Sequence, residues 1–203
     1  VSHTRREQGA GYMALGYAQA TGKVGTAIVV PGPGLLNASA AISTGYALSS
    51  KMMCVVGQIP SELIGKGTGQ LHELPNQLAI AEGLTKFAAR MDAPEDAHPT
   101  IAEAFRQLHT GRPRPVHVEM AMDIMKSEGP VMPIDAPEAY ERAQPDPDQI
   151  AAAAKILGEA KNPLIFAGGG AVDAGVELKA LAELLQAPVV MSRGALGVID
   201  SRH

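Results

Sequence analysis

The sequence contains no tryptophan, and aromatic residues make up only 3% of its 203 residues. Its core must therefore be built from alanine, valine, isoleucine, leucine and methionine. There is a single cysteine, Cys54, within the apolar run 52–56. One thiol in such a run excludes a disulfide framework and is typical of the reducing cytosol, so we predict a cytoplasmic protein.

Two classes of partner are excluded by what the chain lacks. No apolar run approaches the ~20 residues that a membrane-spanning helix needs, and no signal peptide is visible. The net charge is −4 without a cluster of lysine and arginine, whereas a nucleic-acid surface requires such a cluster. We therefore predict neither a membrane nor a nucleic-acid partner.

Glycine and proline are abundant, with 22 and 15 residues, and they separate short segments in which helix and strand patterns alternate. The predicted helices cover 7–20, 35–48, 93–108, 149–160 and 172–186, and the predicted strands cover 24–30, 52–56, 85–91, 116–120, 163–167 and 188–191. This alternation predicts an α/β fold, an open parallel sheet with helices on both faces. Ligands of such folds bind at the carboxyl ends of strands.

A polar segment with several prolines, residues 127–147, is predicted to be a linker between two domains. Residues 1–126 form the first domain, and residues 148–203 begin a second, Rossmann-like α/β domain. The chain starts on the approach to a helix and stops within a predicted domain, so we expect truncation at both ends.

Glu7 is the first residue of a predicted helix, where an acid is commonly a surface charge that the helix dipole stabilises. The residues that follow, Gly9, Ala10 and Gly11, are poor choices for a solvent-facing helix unless something packs close to the backbone. A carboxylate enclosed by small residues is partly desolvated, which suits it to proton exchange near neutral pH.

Several short motifs occur together in one order and spacing along residues 1–125. They are the runs 6–10, 16–18 and 21–25, Gly32-Pro33-Gly34 with Asn37, and the runs 57–60, 85–87 and 112–116. Together they resemble the pyrimidine-binding domain of the acetolactate synthase group of thiamine diphosphate enzymes. Residues 148–203 resemble the start of the central domain of that family.

The resemblance implies that Glu7 hydrogen-bonds the aminopyrimidine of thiamine diphosphate and promotes loss of the thiazolium proton, with Pro33, Gly34 and Asn37 beside the pyrimidine. It implies decarboxylation and carboligation of a 2-oxo acid such as pyruvate, as in branched-chain amino acid biosynthesis. It also implies Mg²⁺ bound by a C-terminal domain that this sequence lacks, and a homodimer or homotetramer. The fragment alone is expected to be inactive.

The loop 65–73 departs from the family pattern. Acetolactate synthases usually have Phe-Gln-Glu where this chain has Leu71, His72 and Glu73. His72 is either a proton donor to the substrate or a loop histidine without a role. The departure leaves open another thiamine diphosphate-dependent 2-oxo acid decarboxylase or lyase. A non-catalytic nucleotide-binding α/β module is the alternative of another class.

Three glycines, Gly168, Gly169 and Gly170, follow a predicted strand of the second domain. Backbone donors at such a turn can bind a phosphate-bearing cofactor. The resemblance implies an FAD contact here in some members of the family, and a tight turn into the next helix is the alternative that we prefer.

Overall fold

The structure is a computed structural model that describes residues 1–130, 140 and 144–203. The chain divides into two compact units, Val1–Glu141 and Arg142–His203. Residues 131–139 and 141–143 of the predicted linker lie outside the described residues. The domain limits 1–126, 127–147 and 148–203 therefore stay predictions.

The first unit is built on one four-stranded sheet whose strands are all parallel, in the order β1-β2-β4-β3. Its strands are β1 (Gly25–Val29), β2 (Met52–Gln58), β3 (Phe87–Met91) and β4 (Val116–Ala121), and its helices are α1 (Glu7–Thr21), α2 (Pro33–Ala47), α3 (Gln77–Glu82), α4 (Ala97–His109) and α5 (Met122–Lys126). The predicted open parallel α/β sheet is confirmed.

Helices cover both faces of this sheet, as predicted. Side chains of β2 alternate between the faces: Met52 and Cys54 pack with α1 and α2, while Met53 packs with α4 on the other side. Close contact between α1 and α2 depends on small residues, because a Cβ added to Gly11 would lie 2.8 Å from the Cβ of Ala41.

Two short helices, α3 and α5, were not predicted, because six and five residues are too few to establish a helical period. The predicted helix 93–108 begins instead with a 3₁₀ turn, Pro94–Asp96, before α4. The helix predicted over 7–20 is present as α1 and ends one residue later, because Gly22 follows it in the left-handed conformation with φ 67°.

Strand β1 pairs only with β2 among the described residues, so its other edge is open. Ile28 on this strand is 73% exposed. The open edge of β1 offers unpaired backbone groups to a partner strand.

The second unit contains a two-stranded parallel sheet and two α-helices. Its elements are α6 (Pro147–Glu159), β5 (Ile165–Ala167), a 3₁₀ segment (Gly169–Ala174), α7 (Gly175–Leu185) and β6 (Val189–Met191). The helix predicted over 172–186 starts later, at Gly175, because the residues before it form the 3₁₀ segment.

None of the helices in the described part of the chain is long and apolar enough to cross a membrane.

Lys86 closes the carboxyl end of α4. Its Nζ donates hydrogen bonds to the backbone oxygens of Gln107 and Thr110, both at 2.7 Å, and of Arg112 at 3.2 Å. Burial and the neighbouring charges of Arg106 and Arg114 lower the pKa of Lys86. The three carbonyl contacts hold the charged amine at a site that otherwise disfavours it.

We expect Lys86→Met to lower the free energy of unfolding by about 1–3 kcal/mol, because the aliphatic stem is kept while three carbonyls lose a charged donor. Guanidinium denaturation followed by circular dichroism measures the change. Lys23→Met is the matched control, since Lys23 is exposed and should tolerate the same substitution within about 0.5 kcal/mol. Equal stability of the two variants would contradict this account of Lys86.

Candidate functional site

The site lies where α1 and α2 begin. Glu7 is the first residue of α1, and Asn37 lies one turn into α2. The Nδ2 of Asn37 donates a hydrogen bond to Oε2 of Glu7 at 3.1 Å. Close packing of the two helices thus joins two predicted site residues that are 30 positions apart.

Glu7 has a pKa below its usual range. The causes are a hydrogen bond from its own backbone N–H, the amide of Asn37 and, more weakly, the charge of His72, which together outweigh a small opposing effect of burial. The sequence-based expectation that desolvation suits Glu7 to proton exchange near neutral pH is therefore wrong for this chain by itself. The side chain is only half-buried, and its carboxylate is ionised.

Of the small residues after Glu7, Gly11 shows the close packing against the backbone that the sequence predicts, whereas Gly9 does not. Gly11 is required by the approach of α2, as described above. A Cβ on Gly9 would meet only Thr4, at 3.7 Å. Gly11 therefore serves the packing of α1 against α2, and Gly9 has only an ordinary contact with a neighbouring side chain.

The turn Gly32-Pro33-Gly34 leads from β1 into α2 and packs tightly on two sides. Gly32 has φ 60°, and a Cβ there would lie 2.3 Å from the backbone oxygen of His72. A Cβ on Gly34 would lie 2.6 Å from Cγ2 of Val30 and 3.6 Å from Cγ of Glu7. Both glycines are required by close approach, and the turn lies directly beside Glu7.

His72 lies in the loop after β2, in a left-handed conformation with φ 73° that non-glycine residues adopt at a cost of roughly 1–3 kcal/mol. Its backbone packs on Gly32, and its charge lowers the pKa of Glu7. The structure therefore brings His72 to the same place as Glu7 and Asn37. Its role in catalysis stays a prediction.

A buried polar cluster beneath this site was not predicted. Its members, Gln58, Gln77, His117 and Glu119, are each at most 5% exposed. Oε2 of Glu119 lies 2.9 Å from Nε2 of His117 and accepts a hydrogen bond from Nε2 of Gln77 at 2.8 Å. The sequence feature that could have revealed this cluster is a histidine and a glutamate at alternate positions of the strand predicted over 116–120.

The cluster keeps a fully buried carboxylate ionised. Burial alone raises the pKa of Glu119, but hydrogen bonds from His117, Gln77 and Gln58 and the charge of His117 together hold it below the usual range. Gln58 contributes the longest of these bonds, with Nε2 3.3 Å from Oε1 of Glu119. Such a carboxylate is stable in the core only while these partners remain.

The three glycines of the second unit form a hydrogen-bonded turn, in which the backbone N–H of Ala171 donates to the oxygen of Gly168 at 3.0 Å. None of Gly168, Gly169 and Gly170 has a positive φ, and a Cβ on Gly168 or Gly170 would meet nothing within 4 Å. The tight turn preferred from the sequence is therefore present as the start of the 3₁₀ segment before α7, although it does not itself require glycine at positions 168 and 170. The FAD contact stays a prediction.

Among residues 1–130, 140 and 144–203, no group of three histidine, cysteine, aspartate or glutamate side chains is arranged to hold a metal ion.

Comparison with known proteins gives two family matches. Residues 1–80 match the N-terminal TPP binding domain of thiamine pyrophosphate enzymes, and residues 150–203 match the central domain of the same enzymes. The first match lies within the first compact unit of the chain, and the second match lies within the second unit.

The names of the similar proteins refer to more than one enzymatic activity. The chain is 37% identical to a probable 2-ketoarginine decarboxylase of Pseudomonas aeruginosa, over 97% of this chain and 35% of the relative. It is 39% identical to the acetolactate synthase large subunit of Corynebacterium glutamicum, over 98% of this chain and 32% of the relative. A probable acetolactate synthase large subunit of Methanocaldococcus jannaschii is 34% identical, over 98% of this chain and 35% of the relative.

This chain spans about a third of the length of these curated relatives. The sheet domain with its Glu7–Asn37 contact and the second α/β unit correspond to consecutive domains of one kind of enzyme. The chain belongs to the thiamine pyrophosphate (thiamine diphosphate) enzyme family.

Proposed function

We propose that the protein carrying this chain uses thiamine diphosphate to decarboxylate a 2-oxo acid such as pyruvate and to join the product to an acceptor, as acetolactate synthases do. In this proposal the chain supplies the half-site that activates the pyrimidine of the cofactor. The observation that carries it is the hydrogen bond from Asn37 to the Glu7 carboxylate, which lies beside the Gly32-Pro33-Gly34 turn.

The residues present fit an aminopyrimidine. Glu7 is half-buried, and Asn37 engages only its Oε2, so the carboxylate can also accept a hydrogen bond from a ligand. Pro33 is exposed and carries no long side chain, which leaves room for a flat ring at the start of α2, and the buried Gly34 lets the chain pass close beside Glu7. A ring that covers Glu7 would remove water from it and raise its pKa toward the range that proton exchange requires.

Each residue then has a defined task. Bound thiamine diphosphate supplies an electron sink that permits loss of carbon dioxide from a 2-oxo acid. Glu7 binds the ring nitrogen of the pyrimidine and keeps a proton there, while Asn37 fixes the orientation of the Glu7 carboxylate. His72, whose loop packs on Gly32, is the proposed proton donor to the substrate.

A decarboxylase without carboligation is the second candidate. His72 replaces the glutamine usual in acetolactate synthases, and one relative is named a probable 2-ketoarginine decarboxylase. A panel of 2-oxo acids that includes pyruvate and 2-ketoarginine, assayed for carbon dioxide release with thiamine diphosphate and Mg²⁺, separates the candidates. Formation of acetolactate from pyruvate supports the carboligating enzyme. Decarboxylation of 2-ketoarginine alone supports the decarboxylase.

We expect His72→Gln to lower kcat by about 10²-fold, or to change the order of preferred substrates, because a positioned proton donor contributes at that level. The same panel measures the effect. His98→Gln is the matched control, since His98 lies at the start of α4, which packs on the other face of the sheet. An unchanged kcat and substrate profile in His72→Gln would leave His72 without a catalytic role.

Further features of the whole protein are part of this proposal. Mg²⁺ would be bound by a separate domain, and the complete site would require a homodimer or homotetramer. If the protein uses FAD, Gly168 to Gly170 would be its place of contact, and a structural turn is the alternative that we prefer. A cytoplasmic location is favoured because the chain has a single cysteine, Cys54, and so has no disulfide framework. A non-catalytic module is the outcome if no 2-oxo acid is turned over.

A further inference from the structure

A chain of hydrogen bonds connects the buried polar cluster to the turn beside Glu7. The side-chain amide of Gln77 is its central member. Oε1 of Gln77 accepts a hydrogen bond from the backbone N–H of Gly32 at 2.7 Å. Its Nε2 donates to Glu119 Oε2 at 2.8 Å and to the backbone oxygen of Gly57 at 3.0 Å.

The amide of Gln77 has only one orientation that satisfies all of its neighbours. An ionised carboxylate and a carbonyl only accept hydrogen bonds, so Glu119 and Gly57 both require the NH₂ group. The oxygen of Gln77 must then face Gly32, whose N–H is a donor. His117 contributes by binding the same oxygen of Glu119, at 2.9 Å, which fixes the carboxylate from the other side.

Gly32 connects the Gln77 amide to the candidate site. It is held between the amide of Gln77 and the backbone of His72, and α2 begins at the next residue. Asn37 lies one turn into α2, where its amide binds Glu7. The hydrogen bond to the Gly32 N–H is therefore connected, through the first turn of α2, to the Asn37–Glu7 contact.

We propose that Gln77, oriented by the buried Glu119–His117 pair, is a positioning residue that fixes the Gly32 turn and thereby the Asn37–Glu7 contact. It acts through Gly32 and does not contact the cofactor. For catalysis this inference rests on the proposed function of Glu7, but its structural part concerns only residues of this chain.

The test uses the labelled full chain and nuclear magnetic resonance, without cofactor or substrate. Two variants remove the bridge: Gln77→Met has no amide, and Gln77→Asn keeps an amide that is too short to span Glu119 and Gly32. In both, exchange of the Gly32 amide hydrogen should accelerate by at least about tenfold relative to that of Gly25, which donates to Lys51 within the sheet. The pKa of Glu7, read from its carboxyl carbon, should rise.

Leu108→Ala separates positioning from a general loss of stability. Leu108 is fully buried on the α4 face of the sheet, so its truncation should destabilise the unit and accelerate the exchange of Gly32 and Gly25 alike. The pKa of Glu7 should not change in this variant. The proposal would be overturned if the amide exchange rates of Gly32 and Gly25 rose equally in the Gln77 variants, or if the pKa of Glu7 were unchanged in them.

Turnover distinguishes this inference from the proposed function. Suppose that Glu7→Gln abolishes turnover while the Gln77 variants change neither the pKa of Glu7 nor the amide exchange rate of Gly32. The proposed function then stands, and the positioning role of Gln77 is overturned. If the Gln77 variants shift both readouts while Glu7→Gln keeps full turnover, Gln77 is a positioning residue and the proposed function fails.

Discussion

Glu7→Gln is expected to reduce carbon dioxide release from the preferred 2-oxo acid by about 10²–10⁴-fold, the range that a positioned proton-transfer group contributes. The substitution keeps the size of the side chain and its ability to bind Asn37, but removes the negative charge. A neutral amide cannot stabilise a proton on the ring nitrogen of the pyrimidine as a carboxylate does. Turnover with saturating thiamine diphosphate and Mg²⁺ measures the effect.

Glu177→Gln is the matched control for this prediction. Glu177 is also an acid in the first turn of a helix, in α7, and it is exposed. If Glu7 were only a charge that the helix dipole stabilises, the two substitutions would have similarly small effects on stability and none on turnover. A large loss of turnover confined to Glu7→Gln separates the two roles.

Glu119→Leu is expected to lower the free energy of unfolding by about 3–5 kcal/mol, because it leaves the buried His117, Gln77 and Gln58 without their shared acceptor. Guanidinium denaturation measures the change. Glu62→Leu, at an exposed glutamate, is the control and should alter stability by less than about 1 kcal/mol. Similar stabilities of the two variants would show that the cluster is not a buried charged network.

The stabilisation by Glu119 has a defined dependence on pH. Its pKa in the folded chain lies below the ordinary value of 4.5, so the unfolded state binds more protons as the pH falls. The contribution of Glu119 is therefore fully present above pH 4.5 and is lost as the pH falls through the folded pKa. The stability difference between the natural chain and Glu119→Gln should narrow in acid, and a difference that widened there would contradict the assignment.

Much of the fold follows from local pattern. The run 24–30 is short and apolar, Gly22 ends the helix before it, and glycine and proline mark the turn after it. The chain therefore shows β1 between α1 and α2 as predicted. The six-residue α3 could not be predicted, because its stability comes from tertiary contacts, among them Ala81 in the core and Gln77 in the polar cluster.

Part of the candidate site could likewise be predicted from local sequence motifs, and part of it could not. Glu7, Gly34 and Asn37 lie in motifs with a recognisable spacing, and close packing brings them together. The pKa of Glu7 was misjudged, because it depends on donors that the sequence does not place in space. Gln77 and Glu119 are 42 residues apart, and nothing local to either reveals that they meet beneath the Gly32 turn.

The proposed role of Glu7 is tested most directly by the rate at which the C2 proton of bound thiamine diphosphate exchanges with deuterium, compared between the natural protein and Glu7→Gln. This rate reports proton removal without any substrate and is independent of which 2-oxo acid is used. We predict exchange at least about 10²-fold slower in Glu7→Gln when the cofactor is saturating. Equal exchange rates in the two proteins would contradict the assignment of Glu7 as the cofactor-activating carboxylate.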